Sequence, residues 1–143
     1  MKTANITISF DTKDQFDIRD ITEEVKAFIK KSEIKNGLVN IQSFHTTATI
    51  FLQENEPMLL NDIKKHLEKM APQDIEYGHN GPGNICFDGC KNGHSHCKAT
   101  GLPSSITINL INGEIQLGQW QQILFIELDR ARPRKVQIQV IGE

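Results

Sequence analysis

The chain has 143 residues, 38% of them hydrophobic and 24% charged, with a net charge of −2. That size and composition predict a single globular domain over residues 1–143 whose core is large enough to form without disulfides. The near-neutral balance and the lack of a basic run argue against a nucleic-acid partner, and no apolar run approaches the roughly 18 residues that span a bilayer. The N-terminus carries no signal-peptide core, so the expected location is cytoplasmic and no membrane partner is expected. Three cysteines make an odd number for a disulfide framework, and a reducing compartment keeps them as thiols.

The first element, NITISF (Asn5–Phe10), alternates with Ile6, Ile8 and Phe10 in step, which is a strand signal, and FDIRDI (Phe16–Ile21) gives a second. Asp20, followed three residues later by Glu23, forms a capping pair for a helix to about Ser32, with Val25, Phe28 and Ile29 at helical spacing. Asn36-Gly37 stops it, and Leu38–Gln42 resumes as a strand. The β-branched, mostly apolar Thr46–Gln53 predicts a well-buried strand. Pro57 opens a helix to about Met70 with Leu59, Leu60, Ile63, Leu67 and Met70 on one stripe. A Gly- and Asn-rich loop occupies Gly78–Cys97, followed by a short helical turn through Lys98-Ala99-Thr100. After Pro103 come only strands, at Ile106–Ile111, Glu114–Leu117, Gln121–Leu128 and Lys135–Ile141, the first two joined by an Asn112-Gly113 hairpin. Two main helices and about eight strands on short connections predict an α+β fold with mainly antiparallel sheets.

The long loop holds all three cysteines (Cys86, Cys90, Cys97) and three of the five histidines (His79, His94, His96), the side chains that bind zinc-like metals most readily. Two metal arrangements are open. Cys86, Cys90, His94 and either His96 or Cys97 would make a closed structural site. His79 and His96 with a distant histidine such as His45 would make an open one that leaves a position for water or substrate. Against both stands the ordinary alternative of packed thiols and solvated imidazoles. His45-Thr46-Thr47 places an imidazole and two hydroxyls at a strand mouth, an edge suited to oxyanions or simply a strand cap. Glu54 and Asn55 sit where that strand hands over to a helix, with Asp62 two turns on. They are candidates for acid–base work or for capping. Trp120, beside Gln121, is a pocket wall for a flat ring or a core anchor. Three of the four arginines fall in DRARPR, and Arg132 and Arg134 alternate in a way that suits phosphate or a solvated strand edge.

Together, HTTATIFLQENEP (His45–Pro57), YGH (Tyr77–His79), SHCK (Ser95–Lys98), LPSS (Leu102–Ser105), NGEIQLGQWQ (Asn112–Gln121) and Glu127 with Arg132-x-Arg134 resemble the YjbQ-like family, often described as secondary thiamine-phosphate synthases. The resemblance runs from the first strand to the last. It implies a β-sandwich-like α+β body, a homotrimer with sites near subunit boundaries, and His45, His79 and His96 as ligands of a divalent transition metal such as zinc. It also implies Glu54, Asn55 and Asp62 as polar or acid–base groups, with Thr46, Thr47, Trp120, Gln121, Arg132 and Arg134 at a small, phosphorylated or heteroaromatic substrate. The activity it implies is a transferase or another metal-assisted reaction such as hydrolysis. The alternative is a non-enzymatic binding protein whose metal orders residues 78–97. Pro103 and Arg130-Ala131 depart from the family pattern, and Cys86, Cys90, Cys97 and His94 lie outside it.

Overall fold

The structure, a computed structural model, describes residues 1–86 and 89–143. In chain order its elements are β1 (Lys2–Asp11), β2 (Ile18–Asp20), α1 (Thr22–Ser32), β3 (Gly37–Ser43), β4 (Ala48–Gln53), α2 (Pro57–Met70), a 3-10 turn (Gly78–Asn80), α3 (Gly93–Thr100), β5 (Ser105–Ile111), β6 (Glu114–Ile115), β7 (Gln122–Glu127) and β8 (Pro133–Gly142). The strands form two antiparallel sheets, one in the order β1-β8-β3-β5-β6 and one in the order β2-β7-β4.

Side-chain periodicity explains the layering. Strands β3, β5 and β8 bury every second residue, as expected of a sheet with one covered face. Val39, Ile41, Ile108, Leu110, Val136, Ile138 and Val140 meet Ile50, Ile123 and Phe125 of the smaller sheet and Val25 and Ile29 of α1. The apolar run of β7 is continuous because its sheet is the middle layer. Its other face, Leu124 and Ile126, packs with Phe51 against Leu60, Ile63 and Leu67 of α2 and Ala99 at the end of α3. Each fully buried Leu, Ile or Phe there contributes about 1.5–3 kcal/mol. Among the described residues no helix is long and apolar enough to cross a membrane.

The α+β architecture matches the expectation, while several boundaries move. The second strand shrinks to Ile18–Asp20 because Phe16 takes a left-handed conformation (φ 62°) within a turn closed by Asp17 N–H on the Asp14 carbonyl. Asp20 supports the start of α1 by accepting from Thr22 N–H at 2.9 Å and the Thr22 hydroxyl at 2.6 Å, whereas Glu23 pairs with Lys26 instead of reaching back. The reading of Gly78–Cys97 as loop is corrected over its last quarter. Helix α3 begins at Gly93, because the burial of Ser95 and of Lys98, whose ammonium donates to the Ala71 carbonyl and Glu68, overrides the weak helix propensity of GHS. Phe87 and Asp88 of that stretch lie outside the described residues.

Candidate functional site

Helix α3 and the 3-10 turn bring two histidines together. Gly93 packs so closely on Tyr77 that a Cβ there would lie 2.6 Å from the tyrosine Cβ, and Gly93 N–H donates to Asn80 Oδ1 at 2.9 Å. This contact seats the helix on the turn and places the His96 ring edge-on to His79, with centroids 4.5 Å apart and an interplanar angle of 65°. Burial, reinforced by His79, holds the His96 pKa below its ordinary value. Asp129 opposes the shift and Arg132 adds to it. His96 is therefore neutral at physiological pH, with one ring nitrogen carrying an available lone pair.

His45 lies in the turn before β4. Its Nε2 accepts from Lys135 N–H at 2.8 Å, which puts the imidazole proton on Nδ1. Burial is again the main cause of a lowered pKa, followed by Arg134, with Glu127 opposing and Arg132 contributing. Arg132 thus acts electrostatically on both His45 and His96. Its Nε lies 3.4 Å from Asp129 Oδ2, an oxygen that also accepts from Asn92 Nδ2 at 3.1 Å.

Arg134 and Thr47 lie beneath this surface. The Arg134 guanidinium is buried, donating from Nε to Glu127 Oε1 at 2.7 Å, from a terminal nitrogen to Glu127 Oε2, and from the same nitrogen to Thr47 Oγ1 at 3.0 Å. Thr12 Oγ1 also donates to Glu127 Oε1 at 2.7 Å, and Asp129 N–H to Oε2 at 3.1 Å. Expected as substrate contacts, Arg134 and Thr47 instead form part of a buried clamp between the ends of β1, β7 and β8. Thr46 alone of the threonine pair is exposed. Glu127, a motif residue with no expected role, is the buried carboxylate at the centre of this clamp. Its signal is a lone carboxylate inside the apolar run ILFIEL, which calls for a buried cation.

The remaining candidates lie elsewhere. Glu54, Asn55 and Trp120 line a cavity of about 500 Å³ together with Asp20, Glu56 and Gln122. Asn55 Nδ2 donates to Asp20 Oδ2 at 3.1 Å, and Trp120 is 65% exposed, which corrects the core-anchor alternative. Gln121 accepts from Gly118 N–H at 2.8 Å and borders a separate cavity of about 720 Å³ between α1 and the β5–β6 hairpin. Asp62 stands on the exposed side of α2, 3.7 Å from Lys65. The register Ala48↔Glu127 and Gln53↔Gln122 sets these groups at opposite ends of β4 from the histidines. At about 3.3 Å per residue the two ends are roughly 17 Å apart. The residues expected in one pocket are therefore spread within a chain: the histidines and the Glu54–Asn55–Trp120 group form two separate clusters, and Gln121 and Asp62 belong to neither.

Cys86 and Cys97 are exposed, Cys90 is half-buried, and none is in a disulfide. Among the described residues no three His, Cys, Asp or Glu side chains come close enough to hold one metal ion. Neither the closed cysteine arrangement nor the three-histidine arrangement is assembled in this conformation of a single chain.

A family model described as UPF0047 protein YjbQ-like matches residues 6–143. A UPF0047 protein of Methanothermobacter thermautotrophicus is 41% identical over 132 residues, 92% of this chain and 87% of its own. The UPF0047 protein YugU of Bacillus subtilis is 31% identical over 137 residues, 95% of this chain and 98% of its own. Among solved structures, a protein of unknown function from Sulfolobus solfataricus, described as YbjQ-like, is similar with a TM-score of 0.91 at 32% identity, covering 99% of each chain. A hypothetical protein from Aeropyrum pernix has a TM-score of 0.84 at 30% identity, covering 100% of each.

Proposed function

The chain belongs to the UPF0047 protein YjbQ-like family, and on that premise we propose that it is a metal-dependent enzyme resembling the secondary thiamine-phosphate synthases, acting on a small phosphorylated or heteroaromatic substrate. The paired His79 and His96 rings, 4.5 Å apart, carry this proposal. Neutral imidazoles are the donors that zinc and its neighbours prefer, and burial keeps His96 in that form. His79 and His96 would hold the ion, and His45 would join them on releasing Lys135 N–H. Bound there, a divalent transition metal would act as a Lewis acid toward a phosphoryl or pyrophosphate oxygen.

The chain's own groups complete the chemistry. Arg132, the Nδ1–H of His45 and the exposed Thr46 hydroxyl are suited to holding a phosphate, and the Glu127–Arg134 clamp fixes the strand ends from which they project. Trp120, Glu54 and Asn55 offer a flat wall, a carboxylate and an amide to a heteroaromatic ring. Their distance from the histidines supports an assembly in which clusters of different copies come together, for which the family resemblance implies a homotrimer. A candidate contact surface is the outer face of the larger sheet. There Asn5, Gln139, Asn40 and Thr107 lie side by side in register without a charge, flanked by the exposed Leu38 and Ile141.

The test is transition-metal content per chain for wild type, His79→Ala, His96→Ala, and a variant with Cys86, Cys90 and Cys97 changed to Ser, beside an assay of thiamine-phosphate formation. We expect about one ion per chain in wild type and the cysteine variant, lost in the histidine variants with the fold intact. Metal lost only in the cysteine variant, with new protease sensitivity around 78–97, would instead favour a structural staple. Folded histidine variants that retain both metal and turnover would overturn the proposal.

A further inference from the structure

An ammonium group has three N–H bonds and no lone pair, so each polar atom within its hydrogen-bond reach must accept. Lys98, on α3, is fully buried, with no exposed surface. Among the described residues its Nζ has three hydrogen-bonding neighbours: the Ala71 carbonyl at 2.8 Å, Glu68 Oε2 at 2.9 Å and His94 Nδ1 at 3.1 Å. Three donors meet three acceptors, which is the condition for keeping a charged amine out of water. His94 is itself 2% exposed. Because the lysine can only donate, His94 Nδ1 must present its lone pair.

Gln15 supports the same assignment from another part of the chain. Its Nε2 lies 3.3 Å from the Leu128 carbonyl, which can only accept, so the amide nitrogen and not the oxygen faces that way. The same nitrogen is 3.4 Å from His94 Nδ1. Two donors from different segments therefore converge on one ring nitrogen. Ser95 Oγ is almost equidistant from the two ring nitrogens, at 3.4 and 3.5 Å, so it stands beside the ring and does not select between them.

We propose that Lys98 is a positioning residue: it holds His94 as the Nε2–H tautomer, withholds the Nδ1 lone pair from any metal, and ties α3 to the end of α2 so that His96 stays over His79. The link to His96 rests on the metal site proposed above, whereas the tautomer does not. The same Lys98 contacts that set the tautomer reach Glu68 and Ala71 at the C-terminal end of α2, which makes anchoring and proton placement one device. His94, two residues from a proposed ligand, is thereby excluded as a ligand through Nδ1 and left with a fixed donor at Nε2.

Two-bond ¹H–¹⁵N correlation spectra of the metal-free protein read the tautomer directly, with His94 assigned by the pattern that disappears in His94→Asn. We expect wild type to show a single Nε2–H pattern. Gln15→Leu removes the other donor and should leave that pattern in place. Lys98→Met keeps the length of the side chain without its donors and should collapse the pattern to a tautomer mixture. An Nδ1–H or averaged pattern in wild type would overturn the proposal, whether or not Lys98→Met folds, and so would loss of the pattern in Gln15→Leu. A folded Lys98→Met with unchanged spectra would do the same. Since the spectra are recorded without metal, failure of the metal-site proposal leaves them unaffected and is read separately from metal content.

Discussion

Glu127 and Arg134 show how one buried pair sets the limits of a site. Each has the other as its countercharge, with Thr12 and Thr47 filling further hydrogen-bonding positions, so removing one partner strands a charge in the interior. Arg134→Met is predicted to destabilise the fold by about 3–5 kcal/mol, seen as a lower urea midpoint, even if Arg134 never touches substrate. His45 and His94 give a second prediction. Burial is the leading cause of a lowered pKa in both, with Arg134 next for His45 and Lys98 next for His94. Below the ordinary value of 6.5 the unfolded chain therefore binds protons that the folded one resists. In the metal-free protein their contribution is complete above about pH 6.5 and is lost as pH falls toward the lowered folded values. Urea midpoints should fall between about pH 7.5 and about pH 5.5, and less steeply in His94→Asn. A slope unchanged by that substitution would remove His94 from the account.

At the level of elements, the histidine pair depends on how α3 meets the 3-10 turn. Gly93→Ala would drive a methyl to 2.6 Å from Tyr77 Cβ, so helix and turn must separate. Overpacking of this kind costs about 1–3 kcal/mol. The sharper expectation is loss of metal binding while far-ultraviolet circular dichroism stays near wild type, because the rings part before the sheets are disturbed. Helix α2 is held differently. Glu56 accepts from Met58 N–H at 2.9 Å and Leu59 N–H at 2.8 Å, and these bonds lower its pKa. Glu56→Ala should therefore destabilise α2 above pH 4.5 and do progressively less as acid protonates the wild-type carboxyl. Equal effects at neutral and acid pH would show that the cap is not what matters there.

For the whole molecule, the separation of the two clusters along β4 makes assembly the central question. The row Asn5–Gln139–Asn40–Thr107 presents amides and a hydroxyl with no charge among them. If this face is the contact surface, Gln139→Glu leaves an unpaired carboxylate of each copy in a contact, and sedimentation should show a trimeric wild type and a dissociated variant. A variant that sediments as wild type would move the contact to another face. Metal content measured beside it separates assembly from ion binding, since His79 and His96 belong to one chain.

Much of this protein is written in local pattern. The alternation of VQIQVI, the unbroken ILFIEL, the stripe of α2 and the Asn112-Gly113 turn determine most elements, because side-chain periodicity is a property of neighbouring residues. The clustering of His79 and His96 was legible for a similar reason, since only 17 positions separate them. The tertiary structure alone decided that Arg134 is a buried partner of Glu127 and Thr47, the latter 87 residues away, and that His45 spends Nε2 on Lys135, 90 residues away. It also decided that GHS begins a helix and that Glu54 and Trp120 lie a strand's length from the histidines. The physical reason is that a polar side chain's role depends on which donors and acceptors surround it once water is excluded, and those partners are set by sheet register and packing between distant segments.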